Sequence, residues 1–95
     1  MQDAERRTAI ATLEAEGLLV TEWQDEPNAS YETHVHPHLE VRVVLEGSMT
    51  VAVDGRALNL RPGDRIDLAP GKEHSAVVGA DGVRYLAGSA RPDAR

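Results

Sequence analysis

His34-Val35-His36-Pro37-His38-Leu39-Glu40 runs straight into Val41-Arg42-Val43-Val44-Leu45-Glu46-Gly47. The chain has four histidines, and three of them fall within these first seven residues. Alternation along a strand puts residues i and i+2 on one face, so His34 and His36 point the same way. Neutral imidazole and carboxylate are good ligands for divalent transition metals. Two imidazoles alone hold an ion weakly, so a metal site needs further ligands. Glu40 follows beyond the Pro37 bend, and His74 is the one histidine outside the run. On these residues alone the run reads as a metal site, a local pH sensor or a polar loop.

The valine-rich run after Glu40 belongs to a series of short β-type segments separated by turn residues. "LLVTEW" (18–23), "YETHVH" (31–36), "EVRVVLEG" (40–47) and "SMTVAVDG" (48–55) read as strands, with "DEPNAS" (25–30) as a loop. "RALNL" (56–60), "RIDLA" (65–69), "HSAVVG" (74–79) and "VRYLAG" (83–88) follow. Asp54-Gly55 predicts a hairpin turn, because glycine takes positive φ freely. Arg61-Pro62-Gly63-Asp64 fits a type II turn, Pro70-Gly71 turns the chain again, and Asp81-Gly82 predicts a last hairpin. About eight strands at this spacing predict an all-β barrel or sandwich. Ahead of them, Asp3–Glu16 reads as a helix that Asp3 caps and Gly17 ends, with a thin apolar face of Ile10, Leu13 and alanines. The expected organisation is a helix over 1–17, one barrel over 18–90 and a frayed tail over 91–95. With no phenylalanine, the core has to come mainly from Val, Leu, Ile and Ala.

Ninety-five residues suit one domain, and a chain this short gains stability from a metal or a partner subunit. A net charge of −6 argues against nucleic acid, whose phosphates call for clustered Lys and Arg. The absence of cysteine excludes disulfides and thiolate chemistry. No apolar run approaches the roughly 20 residues that span a bilayer, and the N-terminus lacks a signal-peptide pattern. A cytoplasmic protein that binds neither membrane nor nucleic acid is expected. No serine has a histidine–acid pair to spare, and no glycine-rich phosphate loop occurs.

His34-x-His36-x3-Glu40-x6-Gly47 resembles the first motif of the cupin superfamily. "RPGDRIDLAPGKEH" resembles the second, with Gly63, Gly71 and His74 at matching spacing. The resemblance covers about residues 28–88. It implies a small cupin-type β-barrel, or jelly roll, with one metal held by His34, His36, Glu40 and His74. Mn, Fe, Co, Ni, Cu and Zn all suit such ligands. Three departures occur: Asn28 where glycine is frequent, Ala69 where proline is, and Val78 where asparagine is. None is a ligand position.

Arg42 shares strand parity with Glu40 and faces the same interior. A buried arginine needs a partner, with Asp67 as one candidate and a substrate carboxylate as another. Met49, Val51, Val53, Ile66 and Leu68 read as core. Tyr31 lacks parity with His34 and reads as structural. Arg42, His38 and Tyr85 are the candidates to line a substrate pocket, His38 from its rim. The resemblance leaves two readings of function. One is a small-molecule metalloenzyme of dioxygenase, isomerase or decarboxylase type. The other is a non-catalytic module that binds a sugar or effector. A homodimer is expected from the small core, the helix and the resemblance.

Overall fold

Two long strands organise the chain, and both run past the points where the sequence suggests breaks. The computed structural model describes residues 1–90. It contains α1 (Asp3–Ala15), β1 (Leu18–Asp25), β2 (Ser30–His34), β3 (Glu40–Val53), β4 (Arg56–Leu60), β5 (Arg65–Leu68) and β6 (His74–Ala90). β3 and β6 pair antiparallel along their length, with register shifts between Val44 and Glu46 and between Gly47 and Met49. Before the second shift Gly47 opposes Val83; after it Met49 opposes Val78. Four residues of β6, 79–82, therefore face Ser48 alone. The Asp81-Gly82 signal marks this bulge and not a hairpin, so the eight expected segments form six strands.

The bend divides the ladder into two halves of four strand segments each. In one, β5 and β6 flank the first part of β3, and β1 pairs with β6. In the other, β4 and β6 flank the second part of β3, and β2 pairs with β6. This is the arrangement of an antiparallel jelly roll. Gly47 makes the crossing possible: its φ is 73°, and a Cβ there would lie 2.0 Å from the Gly82 carbonyl oxygen.

The predicted turns form. Asp54 and Gly55 both take positive φ, 54° and 72°, as a type I′ hairpin needs. Gly63 takes φ 94°, and Asp64 N–H donates to the Arg61 carbonyl at 2.9 Å, as in a type II turn. Asn28, standing where the family favours glycine, takes φ 64°, a conformation asparagine tolerates.

The strands bury side chains on both faces. Val44, Met49, Val51, Leu60, Ile66, Leu68, Ala76 and Val78 fill the barrel. Val41, Val43, Leu45 and Leu86 form a second cluster on the outer face, where Leu13 of α1 covers them with Ile10 and Ala9. The helix thus closes one side of the barrel, as its thin apolar face implies. Its N-cap is Gln2, not Asp3: the Gln2 N–H donates to Glu5 Oε1 at 2.9 Å. No helix among the described residues is long and apolar enough to cross a membrane. The expected tail, 91–95, lies outside the described residues.

Candidate metal centre and cavity

Three imidazoles meet at one end of the barrel because two sit where a strand begins or stops and the third lies in the bend between strands. His34 ends β2 and His74 opens β6, and the two are register partners. His36 lies two residues on, in the bend leading to Glu40. The Gly71 N–H donates to the His36 carbonyl at 2.9 Å, tying this bend to the turn that delivers His74. Ring centroids lie 4.8 Å apart for His34–His36, 4.4 Å for His34–His74 and 4.9 Å for His36–His74. Their ring nitrogens come within 4.8 Å of one another, so one ion could be shared among them.

Backbone carbonyls fix how two of the rings are used. His34 Nδ1 is 2.6 Å from the Glu32 carbonyl oxygen, and His74 Nδ1 is 3.0 Å from that of Lys72. A carbonyl only accepts, so both Nδ1 atoms carry hydrogen and each Nε2 keeps a free lone pair. His74 Nε2 is buried and has no hydrogen-bond partner. Burial pushes the His74 pKa down against the opposing pull of the Lys72 carbonyl, and nearby His34, Arg42 and His36 lower it further. A neutral imidazole with an orphaned inward nitrogen is what a metal ligand requires, so these residues fit a divalent ion.

Glu40 adjoins the cluster without joining it. Its Oε1 is 3.0 Å from His36 Nδ1, and its Oε2 accepts from Arg42 Nε at 2.6 Å. The acid is therefore already paired with arginine. Arg42 is 7% exposed, and its guanidinium lies 5.7 Å from the centre of the Tyr85 ring. Asp67 is not its partner. Register explains this: Arg42 opposes Ile66, whereas Asp67 opposes Val41 and shares its outer face. There Asp67 accepts from Arg65, which also grips Glu16 after the helix.

A cavity of about 370 Å³ opens beside the imidazoles. His34, His36, Glu40, Arg42 and Tyr85 line it; His38 does not and sits half-buried in the bend. Burial pushes the Tyr85 hydroxyl up to about 12, so it stays protonated and serves as a donor near neutral pH.

The lining residues that were not anticipated include Thr21, Trp23, Asp25 and Tyr31. The first three alternate along β1, a parity signal the sequence carries but which is lost if Asp25 is assigned to a loop. Tyr31 had no such signal. A register shift in β2 between Tyr31 and His34 turns it inward in spite of its odd spacing. Bulges commonly re-aim side chains beside functional sites.

The "Cupin domain" family model matches residues 21–87, most of the chain. The chain resembles KdgF from a Halomonas species at 26% identity, covering 80% of this chain and 71% of that one, with a TM-score of 0.69. An RmlC-like cupin from Shewanella frigidimarina is 29% identical over 80% of this chain and 68% of that one, with a TM-score of 0.69. The polyketide cyclase RemF from Streptomyces resistomycificus is 32% identical, with a TM-score of 0.67; the match covers 76% of this chain but 53% of the cyclase. No curated protein sequence matches. The matched segment spans both halves of the barrel and all four candidate ligands, and the chain belongs to the cupin family.

Proposed function

We propose that this cupin is a metal-dependent enzyme that moves a proton on a small, oxygen-chelating substrate, with a mononuclear site at His34, His36 and His74 and with Glu40, which adjoins them through Oε1 while Oε2 stays on Arg42, as the fourth ligand. The observation that carries the reading is the buried, unpartnered Nε2 of His74, aimed among two other imidazoles beside a cavity that also holds donors. Bound there, a divalent ion would polarise a substrate carbonyl. The chain's own residues supply the rest. The carbon next to that carbonyl loses its proton to a solvent base, and the electron pair moves onto the carbonyl oxygen. The Arg42 guanidinium and the protonated Tyr85 hydroxyl stabilise that negative charge. Return of a proton to the same carbon gives exchange, whereas on a 2-hydroxy ketone its delivery to the former carbonyl carbon, with loss of the neighbouring hydroxyl proton, completes an isomerisation with no oxidant and no net redox change.

Polar groups along the cavity favour this chemistry over oxygenation. The similarity to a polyketide cyclase supports a reaction on a small molecule. The test is deuterium incorporation from D2O into hydroxyacetone, followed by NMR with protein loaded with Mn, Fe, Co, Ni or Zn. Exchange faster than with metal-free protein, without O2 uptake, is expected. Failure to bind any of these metals stoichiometrically would sink the proposal. So would exchange no faster than in the metal-free sample.

A further inference from the structure

Arg42 is the one arginine or lysine that lines the cavity among the described residues, and most of its hydrogen-bonding capacity is unused. It is 7% exposed, and its Nε donates to Glu40 Oε2 at 2.6 Å. A guanidinium carries five N–H donors in a rigid plane. The four on the two Nη atoms find no acceptor among the described residues. The Tyr85 ring, 5.7 Å from the guanidinium carbon, offers a π face and not a lone pair. Neither carboxylate that lines the cavity is left to fill the fork. Glu40 is engaged through both oxygens, and Asp25, the other acid of the cavity, takes the Tyr31 hydroxyl instead. Unpaired donors on a buried cation are costly, so the position favours an occupant that accepts hydrogen bonds.

The fork stands beside the imidazoles, within reach of a very small molecule. The Glu40 carboxylate alone separates them, with Oε1 3.0 Å from His36 Nδ1 and Oε2 2.6 Å from Arg42 Nε. The Nη atoms lie just beyond Nε. A molecule whose carbonyl oxygen faces the imidazoles therefore reaches them with a group attached directly to the carbonyl carbon. A carboxylate in that place is planar and presents two acceptors to two N–H groups, the pairing that an arginine fork matches. A phosphate ester is longer and brings two charges to a single cation.

We infer that Arg42 holds a carboxylate of the substrate, which makes that substrate a 3-hydroxy-2-oxo acid: its carboxylate lies on the two Nη atoms and its carbonyl oxygen faces the imidazoles. This rests on the reading that the cavity moves a proton on a 2-hydroxy ketone, and it narrows that ketone to one with a carboxylate on the carbonyl carbon. The guanidinium that grips the carboxylate also faces the oxygen on which charge develops, so one side chain both selects the substrate and stabilises the charge. Hydroxypyruvate is the smallest member of the class. Its isomerisation moves one hydrogen from C3 to C2 and the hydroxyl proton to the C2 oxygen, giving 2-hydroxy-3-oxopropanoate with every atom retained. A cavity of about 370 Å³ exceeds what three carbons need and leaves space toward Trp23 for a longer substituent on C3.

The first test needs neither a metal nor a variant. NMR titration of the metal-free chain compares pyruvate with methyl pyruvate, which has the same skeleton without the charge. Pyruvate should bind at least about tenfold more tightly, as befits hydrogen bonds between charged groups. Equal affinity overturns the inference. Arg42→Lys keeps a charge beside Glu40 but not the fork, and should lose most of the preference. Glu40→Gln/Arg42→Met removes both charges and should bind the two probes alike. A preference as large as in the wild type in either variant, folded by circular dichroism, also overturns it. With metal-loaded chain, kcat/KM for hydroxypyruvate should exceed that for deuterium exchange into hydroxyacetone, which carries a methyl in place of the carboxylate, by at least about tenfold. Equal values count against the inference, and tighter binding of dihydroxyacetone phosphate than of hydroxypyruvate reassigns the fork to phosphate esters. Metal stoichiometry keeps the two readings apart. A chain that binds no metal but shows the Arg42-dependent preference supports this inference and ends the metalloenzyme reading. One that binds metal and exchanges hydroxyacetone without the preference does the reverse.

Discussion

Replacing Arg42 with methionine should make the protein much less stable without metal, and more dependent on metal than the wild type. The side chains of Arg42 and Glu40 are 9% and 16% exposed, and their bond is 2.6 Å. Removing one partner of such a pair leaves the other charge buried and unpaired, at about 3–5 kcal/mol. In a domain of this size 1 kcal/mol moves Tm by about 4–8 °C, so a fall of at least about 12 °C is expected. A divalent cation among His34, His36 and His74 would face the same carboxylate through Oε1 and replace the lost positive charge. Metal should therefore raise Tm further in Arg42→Met than in the wild type at equal metal concentration, by linkage. Scanning calorimetry with and without zinc measures both shifts. The double variant Glu40→Gln/Arg42→Met supplies the control: with neither charge buried it should recover stability and lose the extra metal response. Equal zinc shifts in wild type and Arg42→Met would refute the reasoning, because Glu40 would then not be coupled to the ion.

His74→Ala should lower metal affinity by at least tenfold in calorimetric titration while the fold persists by circular dichroism; full retained affinity removes His74 from the ligand set. Gly47→Ala should destabilise by more than about 2 kcal/mol in urea unfolding, since a Cβ there meets the Gly82 carbonyl and the residue holds φ 73°. Arg65→Gln should flatten the acid limb of stability. Arg65 holds the Glu16 and Asp67 carboxyls below their usual range, so their contribution is present above those unfolded values and disappears as pH falls through the lower folded ones. Comparing Tm between about pH 5 and pH 2 checks it; parallel curves for wild type and variant would count against it. Light scattering should give a dimer, and monomer alone at micromolar concentration would contradict the expectation.

The imidazole cluster was legible in the sequence for a local reason. His34 and His36 are two residues apart and their rings do meet, although β2 stops at His34 and a bend rather than strand parity carries His36, and both motifs deliver their residues at fixed offsets from turns. What escaped depended on pairing. Gly47-Ser48 and Asp81-Gly82 have the composition of turns, but each is opposed by the other strand, and the ladder continues through the bend. Tyr31 was read as structural because parity was counted from His34 across residues that a register shift makes irregular. Asp67 looked available to Arg42 until register set it on the outer face. In each case the decisive fact is which residue sits across the sheet, and that long-range fact has no signature within a window of ten residues. His38 is the converse: it has the right chemistry in the richest stretch, yet the bend leaves it out of the cavity.

Three of the candidate ligands stand at strand termini and His36 in the bend between two strands, none in a strand interior, and this has a physical consequence. An interior residue is fixed by ladder hydrogen bonds on both sides, whereas a terminal one needs other anchors. Here those anchors are specific: Gly71 N–H to the His36 carbonyl, Ala90 N–H to the Leu39 carbonyl, and the Glu32 and Lys72 carbonyls on the rings of His34 and His74. Two of the four tie a motif segment to another element and two set a ring's tautomer, so the imidazoles are held in place before any ion arrives. A site held this way loses little conformational freedom on binding, and preorganisation of that kind raises affinity without any added contact. The other end of the cavity is built differently. Trp23 and Tyr31 are half exposed there, and the Trp23 ring is held only by its indole N–H, which donates to Thr21 Oγ1 at 2.9 Å. The cavity is therefore rigid at the imidazole end and more open at the aromatic end, so an ion would meet a site already formed while whatever approaches it meets the exposed rings first.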